Sequence, residues 1–228
     1  MGNLKWFKVY AWHRSAEIPA GAKVRDTTWA CKWKGTIVRC RLCLRDFAKF
    51  DKNREGLFSP TPTPTTVRCI LFFGIAHDLD ICIGDLTTAF MHADAGEEIY
   101  AWPPKEYSCD GWCWKILKAI NGMRGASLDF HVFFAAVAVE KLHLVRLVSA
   151  PCVFKAPRDK LVLGIHVDDP LAAAELAKLK NLWVELQHHM MLRDMEIFSL
   201  HRPLDYLGRQ YQLVRERGRR GVKTRLGE

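Results

Sequence analysis

The 228 residues predict an α+β fold, and three observations carry that expectation. Short β-rich runs and amphipathic segments are mixed without the strict βαβα alternation of a doubly wound sheet. Hydrophobic residues make up 49% of the chain and charged residues 26%, enough for a core and too apolar for a chain disordered by composition. The uninterrupted apolar stretches at 69–73 and 132–139 are too short to cross a bilayer. No basic start followed by an apolar run and a small-residue cleavage site opens the chain. The expectation is therefore a soluble intracellular protein, either one compact domain or two small lobes sharing a core.

Residues 1–18 are mixed and left unassigned. Two β-rich runs, 29–33 and 38–44, flank Lys34-Gly35-Thr36, which reads as a hairpin turn. Phe58-Ser-Pro-Thr-Pro-Thr-Pro64 is extended, because each proline disfavours helix in the residue before it. Thr65 or Thr66 then caps a helix running to about Ala76, with Val67, Ile70, Leu71 and Phe73 apolar. Residues 79–83 form a short buried strand ending in Gly84-Asp85. A second helix covers 127–142, with Phe130, Phe133, Phe134, Val137 and Leu142 inward. Strands at 152–154 and 161–167 are separated by a turn at 156–160. Leu176, Leu179, Leu182 and Leu186 mark a third helix by their three- and four-residue spacing.

Thirty-four Lys and Arg against twenty-five Asp and Glu give a formal charge of +9, a field that attracts polyanions, nucleic acid first. The excess is partly local: between Arg209 and Arg225 stand seven basic residues and one acid, Glu216, the pattern of a solvated basic arm. Eight cysteines raise a zinc or disulfide reading. Cys40-x2-Cys43 and Cys109-x3-Cys113 have metal-like spacings, but Cys40 and Cys43 sit in an alternating, strand-like run without a knuckle's glycine turn. The other four are scattered among apolar neighbours. Reduced thiols are expected in preference to disulfides.

The most informative residues are His166-Val-Asp-Asp-Pro170. Two adjacent aspartates directly after an apolar strand are costly unless paired, since like charges repel and lose hydration. Alone they read as an exposed turn. A second strand ending in an aspartate, Asp85, changes that reading. Three carboxylates at neighbouring strand ends can bind two Mg²⁺ ions through hard oxygen ligands, a constellation suited to in-line phosphoryl transfer.

At this point a family comes into view over roughly residues 19–212. Arg39-Cys-Arg-Leu-Cys-Leu-Arg-Asp-Phe47, Phe58-Ser-Pro60 with Thr65-Thr-Val-Arg68, Asp85-Leu-Thr-Thr-Ala-Phe90 followed by Glu97-Glu-Ile-Tyr100 and Pro103-Pro104, Asn121-Gly-Met-Arg124 with Phe130, Pro151-Cys-Val-Phe154 leading to His166-Val-Asp-Asp169, and Tyr206-Leu-Gly208 stand in order. Together they resemble the reverse transcriptase of copia-type retrotransposons, a fragment of a Pol polyprotein.

The resemblance implies a right-hand polymerase fingers and palm, with an antiparallel palm sheet packed on helices and the thumb absent or truncated. Residues 19–212 would form it, after the unassigned 1–18 and before a basic tail at 213–228. The implied activity is that of an RNA-directed DNA polymerase, a nucleotidyltransferase adding dNTPs to the 3′-hydroxyl of an RNA or DNA template–primer. Asp85 and Asp168 would bridge two Mg²⁺ ions (Mn²⁺ substituting), Asp169 would complete the cluster, and the Leu86 carbonyl would ligate the nucleotide-side ion. Phe90 falls at an aromatic steric gate against a ribose 2′-hydroxyl, with an ordinary core phenylalanine as the plain alternative. Arg39 and Arg41 are candidates to hold the triphosphate, or else line an exposed strand face. Tyr206-Leu-Gly208 would sit near the primer, and other Pol parts are possible partners. No membrane is expected, and the compartment would be cytoplasmic or nuclear.

The departures from the family pattern are Thr63 for Arg, Asn121 for Tyr, Gly125 for Gln, Ser127 for Pro, and Pro170 directly after the aspartate pair. Pro170 removes a ladder donor beside the metal site. They open a second reading, a catalytically decayed descendant that still binds nucleic acid; a small zinc-binding module is a third.

Overall fold

A computed structural model describes residues 2–50, 53–216 and 219–226. Met1, Asp51 and Lys52 lie outside them, as do Arg217, Gly218, Gly227 and Glu228 of the expected basic tail. Along the chain come α1 (Gly2–Trp6), β1 (Tyr10–Arg14), β2 (Lys23–Lys34), β3 (Ile37–Leu44), α2 (Pro64–Ala76), β4 (Asp80–Ile83), β5 (Asp94–Trp102) and β6 (Trp112–Lys118). There follow α3 (Ala126–Ala136), β7 (Val145–Arg146), β8 (Val153–Lys155), β9 (Val162–His166), β10 (Asp169–Ala174) and α4 (Leu176–His189). Four strands close the chain: β11 (Glu196–Ile197), β12 (Leu204–Tyr206), β13 (Arg209–Glu216) and β14 (Arg219–Leu226). They form two units, Met1–Ser59 with Phe90–Phe133, and Pro60–Ala89 with Phe134–Glu228.

The first unit holds a five-stranded sheet in the order β1-β6-β5-β2-β3, antiparallel except for the β2–β5 pair. The unassigned N-terminal segment thus contributes an edge strand, β1. The predicted hairpin is β2–β3, and its register sets Cys31 opposite Cys40 with Cα atoms 4.1 Å apart. The two are joined as a disulfide, which corrects the expectation of reduced thiols for this pair and takes Cys40 out of any zinc set, while Cys43, Cys69, Cys82, Cys109, Cys113 and Cys152 are free thiols as expected. The cause is tertiary register: strand-like alternation spaces Cys40 from Cys43 along β3 but does not tell which β2 residue faces either.

Asp46 is the buried electrostatic hub of this unit. Its carboxylate receives Lys23 (3.2 Å), Arg25 (3.1 Å) and Arg54 (3.5 Å), together with the main-chain N–H of Arg124 (3.2 Å). Burial pushes its pKa up, but the Arg124 N–H, Arg25 and Lys23 outweigh it and hold the carboxyl below its ordinary range. Gly122 lies where the chain presses on β3. Its φ is +84°, and a Cβ there would stand 2.1 Å from the Leu44 carbonyl oxygen.

The second unit is built on an antiparallel sheet in the order β11-β4-β10-β9-β8-β7. Helix α2 lies on one face. It approaches so closely that a Cβ at Gly74 would meet Ile81 at 2.6 Å, and one at Gly164 would meet Ile70 at 2.7 Å. The opposite face receives α4, whose Trp183 would be 2.5 Å from a Cβ at Gly84. Ala172, Ala173 and Ala174 of β10 are wholly buried between these helices.

The cap of α2 is Thr63, whose Oγ1 accepts the Thr66 N–H at 3.1 Å, with Pro64 in the first turn. The cap expected at Thr65 or Thr66 therefore falls two or three residues earlier, because Pro64, lacking an N–H, fits the first helical position. The second predicted helix ends its regular part at Ala136 and continues through a π-helical turn, Val137–Lys141. The segment read as a solvated arm is instead the β13–β14 hairpin, joined to β12 in a three-stranded sheet. Tyr211 and Leu213 are its buried anchors, and Arg220 donates to Asp78 (2.7 Å) and to the Leu79 carbonyl (3.3 Å). Alternating apolar residues under a row of arginines bury one face while the other stays charged.

Candidate metal centre

The site lies at one end of the second unit's sheet, where β4 and β10 run side by side. The Gly84 N–H donates to the Pro170 carbonyl (3.0 Å), carrying the β4–β10 ladder one step past Ile83, and Asp85 follows. Strand β9 turns into β10 through Val167 and Asp168, so the aspartate pair forms the tip of a tight hairpin and not a loop after a strand. Val167 has φ +50°, an unusual conformation for a β-branched residue and a mark of local strain. The Leu86 N–H donates to the Asp168 carbonyl at 2.7 Å, tying the hairpin tip to the segment after Asp85.

Three carboxylates therefore share one sheet end: Asp85 half-buried, Asp168 exposed, Asp169 half-buried. Burial, then the charges of Asp168 and Asp85, push the Asp169 carboxyl up to about 6. Pro170 does not interrupt β10. It pairs with Ile165 on the β9 side, and its ring nitrogen faces β4, where the missing donor falls opposite Gly84, beyond the last β4 residue. Only one N–H is lost, at the frayed end of that ladder.

Two further residues complete the surroundings. Arg193 Nη1 lies 3.0 Å from Asp85 Oδ2, and its main-chain N–H donates to the Asp85 carbonyl (3.1 Å). The buried Tyr206 donates its hydroxyl to the Asp169 carbonyl at 2.9 Å, and burial and Asp169 hold that phenol neutral well above its ordinary range. Neither contact was readable from sequence. Arg193 stands in an unpatterned stretch after α4, and its partner is remote in the chain. Tyr206 was singled out only through its Tyr-Leu-Gly block, which indicated the primer side and not a brace on the aspartate hairpin.

The remaining predicted site residues fall as follows. Leu86 is buried beside Asp168 and bridges to Leu192. Phe90 is half-buried in the 3₁₀ turn Ala89–His92 and belongs to the first unit. Arg39 and Arg41 are exposed on β3, also in the first unit, with Lys32 directly across from Arg39.

Chemically the site fits a hard divalent cation: its donors are carboxylate oxygens, and the raised Asp169 marks negative charge gathered without full compensation. The arrangement is not a closed ligand set. Among the described residues no three His, Cys, Asp or Glu side chains are already grouped to hold an ion, and one Asp85 oxygen is engaged by Arg193.

Residues 10–210 match the family described as reverse transcriptase (RNA-dependent DNA polymerase). The chain is 29% identical over 186 residues to the retrovirus-related Pol polyprotein from transposon TNT 1-94 of Nicotiana tabacum, covering 74% of itself and 14% of that protein. Among solved structures, telomerase from Candida albicans in complex with a fragment of telomeric RNA superposes with a TM-score of 0.50 at 6% identity, over 91% of this chain and 47% of that one. Apo telomerase from Candida tropicalis gives 0.49 at 9% identity, over 91% and 56%. The Candida albicans likeness bears on the fold alone, a polymerase palm and fingers. The copia-type resemblance of the six sequence blocks agrees with the family match. No helix among the described residues is long and apolar enough to cross a membrane.

Proposed function

We propose, for a chain that belongs to the reverse transcriptase (RNA-dependent DNA polymerase) family, that its carboxylates Asp85, Asp168 and Asp169 drive RNA-templated DNA synthesis. The observation that carries this reading is the convergence of the three at one sheet end, with Asp169 pushed up to about 6 by burial and by the other two. The substrates are an RNA or DNA template–primer and dNTPs. Since the chain spans 14% of its Pol polyprotein relative, other Pol parts are fitting partners. Such work belongs in the cytoplasm or nucleus.

In this reading Asp85 and Asp168 would hold the two divalent ions, Mg²⁺ or Mn²⁺, Asp169 would complete the charge, and the Leu86 carbonyl would be a further ligand. Bound ions of this kind lower the pKa of the attacking 3′-hydroxyl and offset charge on the leaving pyrophosphate. The protein's part is to fix the carboxylates. The Leu86 N–H and the Tyr206 hydroxyl hold the main chain of Asp168 and Asp169, so little reorganisation remains for the reaction step. Arg39 and Arg41 offer forked donors to a triphosphate, and Phe90 stands as the gate against a 2′-hydroxyl.

Primer extension on an RNA template in Mg²⁺ or Mn²⁺ tests the proposal against Asp168→Asn. The expected outcome is extension by the wild type and its loss in the variant, with template–primer affinity nearly unchanged. A folded wild type that binds template–primer without extending it would favour the decayed reading.

A further inference from the structure

Arg193 is held in place by its main chain. Thr87 N–H donates to the Met191 carbonyl (2.8 Å), Leu192 bridges Leu86 in antiparallel register, and Arg193 N–H donates to the Asp85 carbonyl (3.1 Å). Residues 191–193 are thus stitched alongside 85–87. From the other side Trp183 of α4, the ring that keeps position 84 a glycine, donates its Nε1–H to the Arg193 carbonyl at 2.9 Å. The packing that forms the sheet end therefore delivers a permanently charged guanidinium to the Asp85 carboxylate, 3.0 Å from Oδ2.

We propose that Arg193 is a built-in counter-cation: it occupies Asp85 when no metal is bound and is exchanged for the divalent cation, so that it sets the affinity of the site. The inference rests on reading Asp85, Asp168 and Asp169 as metal ligands. Displacement is feasible because the pair is open to solvent, with side chains 67% and 45% exposed for Arg193 and Asp85. Exposed ion pairs are weak, and freeing Asp85 should tighten cation binding by about two- to fivefold.

The test is Mn²⁺ binding followed by the paramagnetic resonance of the free ion, on wild type, Arg193→Gln, Asp85→Asn and the double variant, with thermal melts to verify folding. Tighter binding by Arg193→Gln that disappears in the Asp85→Asn background is the expected result. Unchanged or weaker binding by Arg193→Gln, when the wild type binds Mn²⁺, overturns the exchange and leaves the metal reading standing. The same gain in the Asp85→Asn background also overturns it, as a general field effect. Absence of binding in every folded variant overturns the metal reading, and the exchange with it.

Discussion

Asp46 and Asp169 show how position alone gives two aspartates opposite tasks. Asp46 is surrounded by cations and an N–H donor and stays charged, a structural role. Asp169 is surrounded by carboxylates, and its raised pKa has a definite consequence for stability. A carboxyl whose folded pKa is raised contributes stability below the ordinary carboxylate range and loses it as pH rises through about 6. In EDTA, the melting temperature of the wild type should therefore fall between pH 5 and pH 7.5 more than that of Asp169→Asn. Parallel pH profiles for the two would contradict the crowding of the site. Phe90 yields a second residue-scale expectation: Phe90→Ala should raise ribonucleotide incorporation relative to dNTPs, and an unchanged ratio would leave it an ordinary packed phenylalanine. The aspartates stood out in the sequence because a second strand ends in Asp85; the adjacent pair alone reads as an exposed turn. Arg193 did not, because an ion pair between distant segments leaves no local pattern.

At the scale of elements, the β9–β10 hairpin positions Asp168 and Asp169, and Tyr206 of β12 braces it. Tyr206→Phe keeps the ring packing and removes one hydrogen bond to the Asp169 carbonyl, at a cost of about 1 kcal/mol. A loss of a few degrees in melting temperature is expected, with a slower extension rate at unchanged template–primer affinity. An unaltered rate would reduce Tyr206 to packing. Strand β10 was the element least visible in sequence, since Asp169-Pro170 reads as a turn and three alanines carry little β signal. Tertiary burial between α2 and α4 overrides that propensity, and Pro170 is tolerated because its missing donor falls at a ladder end. The β13–β14 hairpin was hidden for a related reason: charge density drew attention away from the alternation of Tyr211 and Leu213. The β2–β3 hairpin, β4 and α4 were legible, each with its own turn chemistry or periodicity.

For the whole molecule, the mixed architecture and the order of its six sequence blocks agree with the family match over residues 10–210. The sequence leaves open one domain or two lobes: of the three crossings between the units, the one at Ser59–Pro60 falls in a proline-rich run, while those at Ala89–Phe90 and Phe133–Phe134 carry no distinctive composition. Exposed basic residues lie on both units, Arg39 and Arg41 on the first and Arg215 and Arg225 on the second, in keeping with the net charge of +9. The most direct measurement is incorporation of a single dNTP opposite an RNA template, comparing wild type with Asp85→Asn and with enzyme stripped by EDTA and then given Mg²⁺. Incorporation by the wild type, its loss in Asp85→Asn and on stripping, and its return with Mg²⁺ is the expected result. Equal incorporation by wild type and Asp85→Asn would contradict catalysis by the carboxylate cluster.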